Sequence, residues 1–388
     1  MRILVAHVAY RQMGGEDTVF AMETHLLREA GHEVEILNAR SEDLGQIPLL
    51  ERARMALTYE AHSFGRRLIR EAVKRARPDV VHFHNLYPQL GTGAIEEADA
   101  LGCATVQTLH NYRLSCLAGT HLLGLDICER CSPAAFRPGV LRGCYRGSRF
   151  QSALAARATN RQWRDIVGRG LPLRVLALTD FMREKFIEHG APAERIVHKP
   201  NSVDQGSPHS AGVREGILTA GRLSAEKGIV PLMRSWPADA PLLTVAGSGP
   251  EEGEVRAAQR SNVRFLGRLK PDDLRVAMRA ARVVALPSVW PEPMPLVALE
   301  AFSEGTPVIA FDGWSLGAMV KDVSRDCVVP FHDFPALARR AHEIADAWYW
   351  DKISARCVTM HASAYSHARN LATLERVYAD AVAERRAR

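Results

Sequence analysis

No stretch of the 388-residue chain reaches the roughly 18 consecutive apolar residues that a membrane-spanning helix needs. Cysteine is sparse and odd in number, seven in all, which argues against a disulfide-stapled scaffold and suits free thiols in a reducing compartment. No P-loop sequence is present, and no complete Gly-x-Gly-x-x-Gly. The second candidate strand runs into Asn38-Ala39-Arg40 without the acid that would hold a ribose, so a nicotinamide-dependent dehydrogenase ranks low. Interleaved aromatic and basic residues of the kind that stack single-stranded nucleic acid are also missing.

What is there is ordinary for a globular protein with a sizeable core: 47% hydrophobic and 24% charged residues, in a length that suits two domains. The net charge of +6 makes an anionic partner reasonable. The N-terminus, Arg2 to His7, is apolar only briefly before a Gly-Gly loop and reads as a first strand, not a signal peptide, so a cytoplasmic protein is the expectation.

Short apolar runs alternate with helical stretches, the pattern of parallel α/β architecture. The first series predicts strands at 3–7, 32–37, 79–84, 103–109, 174–178 and 196–199, with helices at 16–30, 93–101, 150–167 and 181–188. Residues 111–147, rich in Cys, Gly and Arg, interrupt it as an inserted loop, and 201–215 read as a linker. A second series follows, with strands at 216–220, 242–246, 263–266, 283–286, 307–311 and 327–329.

In such folds ligands bind beyond the carboxyl ends of strands, often at helix N-termini. Gly14-Gly15 follows the first strand and opens a helix, where glycine lets backbone N–H groups approach a phosphate. Gly221-Arg222-Leu223-Ser224-Ala225-Glu226-Lys227-Gly228 places two cations where another helix begins. Gly247-Ser248-Gly249-Pro250 ends the next strand in a second flexible turn. In Pro291-Glu292-Pro293-Met294-Pro295-Leu296, continuing to Glu300, one carboxylate precedes a helix and another lies inside its apolar run. Unpartnered there, Glu300 would be costly, and a hydroxyl-rich ligand would satisfy it.

This set of motifs resembles glycosyltransferase family 4. The resemblance implies an α/β GT-B fold: two Rossmann-like parallel-sheet domains facing a cleft, with a C-terminal helix crossing back to the N-terminal domain. The boundaries would be 1–205 on the acceptor side, 206–362 for the nucleotide sugar and 363–388 for the helix. It implies transfer of a sugar from a nucleotide-diphosphate donor, with retention and without a catalytic metal, to a saccharide or lipid-diphosphate-linked saccharide acceptor in cell-surface glycan synthesis. A non-catalytic nucleotide-sugar or anionic-surface binding protein of the same fold is the alternative, and nucleic acid is not an expected partner. Carried over by position, Arg222 and Lys227 would stabilise the departing diphosphate and Glu300 would bind the ribose hydroxyls. Glu292, with Met294, Pro295 and Leu296, would contact the donor sugar. Gly14, Gly15, Gly247, Ser248 and Gly249 would line the donor, and His110 would line the sugar site. Two positions depart from the pattern. Met294-Pro295 stands where Phe-Gly is common, which removes an N–H, and Asn201-Ser202-Val203-Asp204 replaces Asn-Gly-Val-Asp.

Two features lie outside that pattern. Cys116, Cys128, Cys131 and Cys144 offer four soft ligands around one Cys-x-x-Cys, a set suited to structural zinc, with free thiols the alternative. From Arg137 to Arg174 nine arginines stand against one acid, Asp165. Arg157, Arg161 and Arg164 there form a helical stripe, which suggests an anionic membrane surface or lipid-linked acceptor, and Phe150, Leu154, Ile166 and Val167 are expected to bury. His82 and His84 share one strand face and read as core or cleft-lining side chains sooner than as metal ligands. Trp348 and Trp350 are expected to pack between the domains.

Overall fold

The structure, a computed structural model, describes residues 1–9, 14–40, 63–87, 89–207 and 212–388; part of the expected linker, 208–211, lies outside the described residues. The chain divides into two compact units. One comprises Met1–His121, Cys128–Pro200 and Asn370–Arg388, the other Leu122–Ile127 and Asn201–Arg369.

The first unit is built on β1 (Arg2–Ala9), β2 (Glu33–Arg40), β3 (Val80–Phe83), β4 (Ala104–Leu109), β7 (Arg174–Ala177) and β8 (Ile196–His198), all parallel in the order β2-β1-β3-β4-β7-β8. Period-2 side chains split its core into two layers. Leu4, Ala6 and Val8 pack with Val81 and Phe83 against the helices Ser63–Ala76 and Thr92–Ala100. Ile3 and Val5 point the other way, with Phe20 and Leu27 of the helix Gly15–Glu29 and with Leu374, Val377 and Tyr378 of the helix His367–Ala387. The C-terminal helix thus completes the first unit's core. The helix Ser63–Ala76 has no counterpart among the elements read from the sequence.

The cysteine-bearing insert is mostly irregular. It forms the two-residue strands β5 (Leu122–Leu123) and β6 (Asp126–Ile127) and the short helix Arg137–Arg142. The next helix, Arg149–Arg164, corrects two expectations. Phe150 at its start is 67% exposed, and Val167 beyond it is exposed too, while Ile166 is buried. The arginine stripe is not a uniform solvated face either, because Arg161 donates to Glu96 at 2.6 Å.

The second unit carries β9 (Ile217–Arg222), β10 (Leu243–Ser248), β11 (Val263–Gly267), β12 (Val283–Leu286), β13 (Val308–Phe311) and β14 (Val328–Val329), again all parallel, in the order β11-β10-β9-β12-β13-β14. β12 and β13 are buried along their whole length, as strands covered on both faces must be. The Asn201–Asp204 segment clasps the start of the last helix: Asp204 meets His367 Nε2 at 2.9 Å and the Val203 N–H donates to the Tyr365 carbonyl just before it. Trp350 is buried, with the Arg214 and Arg282 guanidiniums 5.3 and 4.5 Å from its ring centre, whereas Trp348 is 93% exposed, contrary to the expected packing.

Candidate functional site

The order of the second sheet reverses between β9 and β12, and in doubly wound sheets that point opens a crevice beyond the strand ends. Three of the sequence motifs emerge there or one strand away. After β9 the chain turns through Arg222 into a single turn of 3₁₀ helix, Ala225–Lys227. After β12 it passes Ser288 and Trp290 to Glu292. The Val289 N–H donates to the Glu226 carbonyl at 2.9 Å and joins the two loops. The turn after β10 docks on the same loop, with Leu223 N–H on Ser248 O and Glu251 N–H on Leu223 O, both at 3.0 Å. Its glycines are required by this approach. A Cβ at Gly247 would stand 2.0 Å from the Gly221 carbonyl oxygen, and one at Gly249 would stand 2.4 Å from that of Leu223.

Lys227 Nζ lies 2.7 Å from Glu292 Oε2, and Ser288 Oγ donates to the other Glu292 oxygen. Glu292 is buried, so this pairing compensates its charge. Arg222 is exposed and has no carboxylate partner among the described residues. Lys227 also sits 5.7 Å from the centre of the Trp290 ring, whose indole N–H is buried without an acceptor. Met294 and Pro295 are buried and lead into the helix Leu296–Ser303. The carboxylate of Glu300, half-buried on that helix, makes no hydrogen bond or ion pair among the described residues, and burial raises it above the ordinary range, with Arg275 opposing. One turn on, Glu304 is fully buried but held by Arg275 and Arg279, at 3.0 and 2.8 Å.

The first sheet reverses between β1 and β3. Gly14 caps the helix after β1, and its N–H is taken up internally by Asp17 at 2.7 Å, whose other oxygen meets His7 Nε2 at 2.9 Å. Of the glycine pair, only the Gly15 N–H lacks an acceptor among the described residues. A small, solvent-open pocket of ≈ 50 Å³ lies beyond β3 and β4, lined among others by Glu16, His84, Asn85, His110 and Asn111.

Beneath that pocket lies a histidine array that sequence reading recognised only in pieces. His84 Nδ1 and His110 Nε2 are 2.9 Å apart. His84 Nε2 faces Glu23 Oε2 at 3.6 Å, and the other Glu23 oxygen accepts from Lys199 Nζ. His82 is fixed by Tyr378 OH and Thr108 Oγ1, each at 2.8 Å. Burial pushes His82 and His110 down to about 3 and His84 well below its ordinary value, with like-charged neighbouring imidazoles adding to the shift for His84 and His110. Glu23, His82 and His84 are the one group of three ligand atoms within 4.8 Å among the described residues. Both His82 nitrogens and one Glu23 oxygen are already engaged, so the donor set does not suit a metal. Glu23 was legible in principle, lying four residues from both Val19 and Leu27 on the buried helix face.

Cys116, Cys128, Cys131 and Cys144 form no disulfide. Burial, then the neighbouring thiols of Cys116, Cys144 and Cys128, push Cys131 up. No three of the four sulfurs come within 4.8 Å of one another, wider than the roughly 3.8 Å edge of a tetrahedral zinc–thiolate site.

Comparison with known proteins agrees with these sheets and motifs. Residues 14–202 match the glycosyl transferase 4-like domain and residues 214–346 match glycosyl transferases group 1. The chain belongs to the group 1, family-4-type glycosyltransferases. Its fold is GT-B, as in HepE of Anabaena solved with UDP and glucose (18% identity, 98% of this chain and 99% of that one, TM-score 0.65). Sucrose-phosphate synthase of Thermosynechococcus elongatus has the same fold (16% identity, 99% and 100%, TM-score 0.69). Among curated relatives, the D-inositol 3-phosphate glycosyltransferase of Salinispora tropica is 40% identical over 32% of this chain and 26% of its own length. The phosphatidyl-myo-inositol mannosyltransferase of Mycobacterium leprae is 30% identical over 46% and 50%. The chain thus spans between a quarter and a half of the curated relatives it matches. Among the described residues no helix is long and apolar enough to cross a membrane.

Proposed function

We propose that the protein is a retaining glycosyltransferase that moves a sugar from a nucleotide-diphosphate sugar to a saccharide or lipid-linked saccharide acceptor. The observation that carries this reading is the pair of cations, Arg222 and Lys227, at the switch point of the second sheet. Transfer breaks the bond between the anomeric carbon and the diphosphate oxygen, and that oxygen keeps the electron pair. Cations already in place stabilise the charge as it develops. An ammonium has three donors, so Lys227 can keep Glu292 and still hold phosphate oxygens. Glu300, unpartnered among apolar neighbours, suits the ribose hydroxyls. In the first unit, the pocket lined by His110 supplies a hydroxyl-binding wall.

UDP-hexoses are the first donors to test, since HepE was solved with UDP and glucose. A panel of nucleotide sugars should contain one that raises the melting temperature and is turned over, with the product keeping the donor's anomeric configuration. If no nucleotide sugar does either, the transferase reading fails; a melting shift without turnover on any acceptor supports a binding protein instead.

A membrane-facing role rests on the insert. Leu141 and Phe150 are exposed on adjoining helices beside Arg137, Arg142, Arg146 and Arg149, which have no carboxylate partners among the described residues. This combination suits peripheral binding to an anionic bilayer. Sedimentation with anionic vesicles, lost in Phe150→Ser and weak with neutral vesicles, is the expected result. Structural zinc is a separate proposal for the four thiols, which would have to draw together to the roughly 3.8 Å spacing of a zinc–thiolate site on binding it: metal analysis of the purified protein should find about one equivalent, and less than about a tenth refutes it.

A further inference from the structure

We propose that Lys199, Glu23 and His84 form a buried positioning relay that holds His110 with its proton on Nε2 and a bare Nδ1, so that His110 offers a hydrogen-bond acceptor to a sugar hydroxyl in its pocket. The proposal rests on the transferase reading only for the identity of that hydroxyl; the relay stands on the geometry of the first unit.

The argument starts from charge. Lys199 and Glu23 are both at most 1% exposed, one at the end of β8 and the other on the helix Gly15–Glu29. Burial works against the Lys199 ammonium, and its contact with Glu23 favours the charged pair. The second Glu23 oxygen and His84 Nε2 are both buried and without hydrogen-bond partners, and they face each other at 3.6 Å. An ionised carboxylate only accepts, so it places the His84 proton on Nε2. His84 Nδ1 must then accept, and the atom 2.9 Å away is His110 Nε2, which must donate. Both imidazoles are neutral, because burial lowers their proton affinity. His110 Nδ1 is left without a protein partner among the described residues, on a residue lining the pocket. His82 takes no part, since Tyr378 and Thr108 hold both its nitrogens. These three residues therefore position His110, and Lys199 and Glu23 act on it only through His84.

Nitrogen-detected NMR of protein carrying labelled histidine, with His110 assigned from a His110→Gln variant, reads the tautomer directly and needs no turnover. Wild type should show His110 with Nε2 protonated and Nδ1 bare. In Glu23→Gln the amide can donate to His84 Nε2, so the chain reverses and His110 carries its proton on Nδ1. In the double variant Glu23→Leu/Lys199→Met, which removes both charges together, His110 should show a mixture. With an active donor, Glu23→Gln should lower kcat/KM by roughly tenfold to a hundredfold, as expected when an acceptor becomes a mismatched donor. A wild-type His110 protonated on Nδ1 overturns the relay whether or not the variants fold. So does an unchanged tautomer in a folded Glu23→Gln protein. If the tautomers behave as stated but no sugar is transferred by wild type, the relay stands and the transferase reading alone fails.

Discussion

Lys227 and Glu292 are paired at 2.7 Å although they lie on loops after different strands, β9 and β12, on the two sides of the sheet's switch point. The pair gives Lys227 two separable duties, compensating a buried carboxylate and presenting positive charge beyond the strand ends. Arg222 has only the second. Lys227→Ala and Arg222→Ala should each lower kcat by about a hundredfold to a thousandfold, the range for losing one preorganised charge-stabilising donor. Only Lys227→Ala should also lower the melting temperature, because it strands Glu292. Steady-state kinetics and thermal melts of the two variants check this, and wild-type turnover in both removes the assigned role.

Glu300 should show the opposite balance between stability and binding. It is half-buried, has no partner among the described residues, and its carboxyl is raised by burial. Glu300→Gln should therefore melt at or slightly above the wild-type temperature, while nucleotide affinity falls by roughly tenfold to a hundredfold. Titration calorimetry with nucleoside diphosphates makes the measurement, and unchanged affinity would falsify the ribose-binding role.

The glycines after β10 supply a steric test. Gly249→Ala sets a Cβ 2.4 Å from the Leu223 carbonyl oxygen, whereas a Cβ at Gly253, in the next helix, meets nothing within 4 Å. The first change should displace the turn and weaken donor binding at least tenfold. Gly253→Ala should leave binding intact and stabilise by up to about 1 kcal/mol, the helix propensity gain. Equal behaviour of the two variants contradicts a packing requirement at Gly249.

Acid should destabilise the first unit through its buried histidines. Unfolded, His82 and His110 take protons near 6.5; folded, burial holds both down to about 3. Between those values the unfolded chain binds more protons, so stability falls as pH drops below about 6.5, by up to about 1.4 kcal/mol per pH unit for each histidine. Urea unfolding from pH 7.5 to 5.5 should show this slope, and His82→Gln should reduce it by about one proton. A flat profile would mean these imidazoles are not neutral in the folded state for this reason.

Local chemistry carried much of this into the sequence. Alternating apolar runs predicted the strands because a parallel sheet covered on both faces needs them continuous, and all six strands of the second unit lie within a residue or two of their expected positions. Gly-rich turns with Arg222 and Lys227 marked strand ends because phosphate recognition needs bare backbone and fixed cations in one short segment. What the sequence could not carry was partnership across the chain. Glu23 and Lys199 are 176 positions apart, and His82 and Tyr378 are 296 apart; each pair exists only because separate elements meet in one core. The same applies to Phe150, whose apolar side chain gives no sign that its helix leaves it exposed. Pattern within a segment determined which elements form and where a ligand's charge is met. Tertiary packing decided which carboxylates are paired, which are left open, and which way the buried histidines face, because burial makes the energy of each charge depend on neighbours that sequence distance hides.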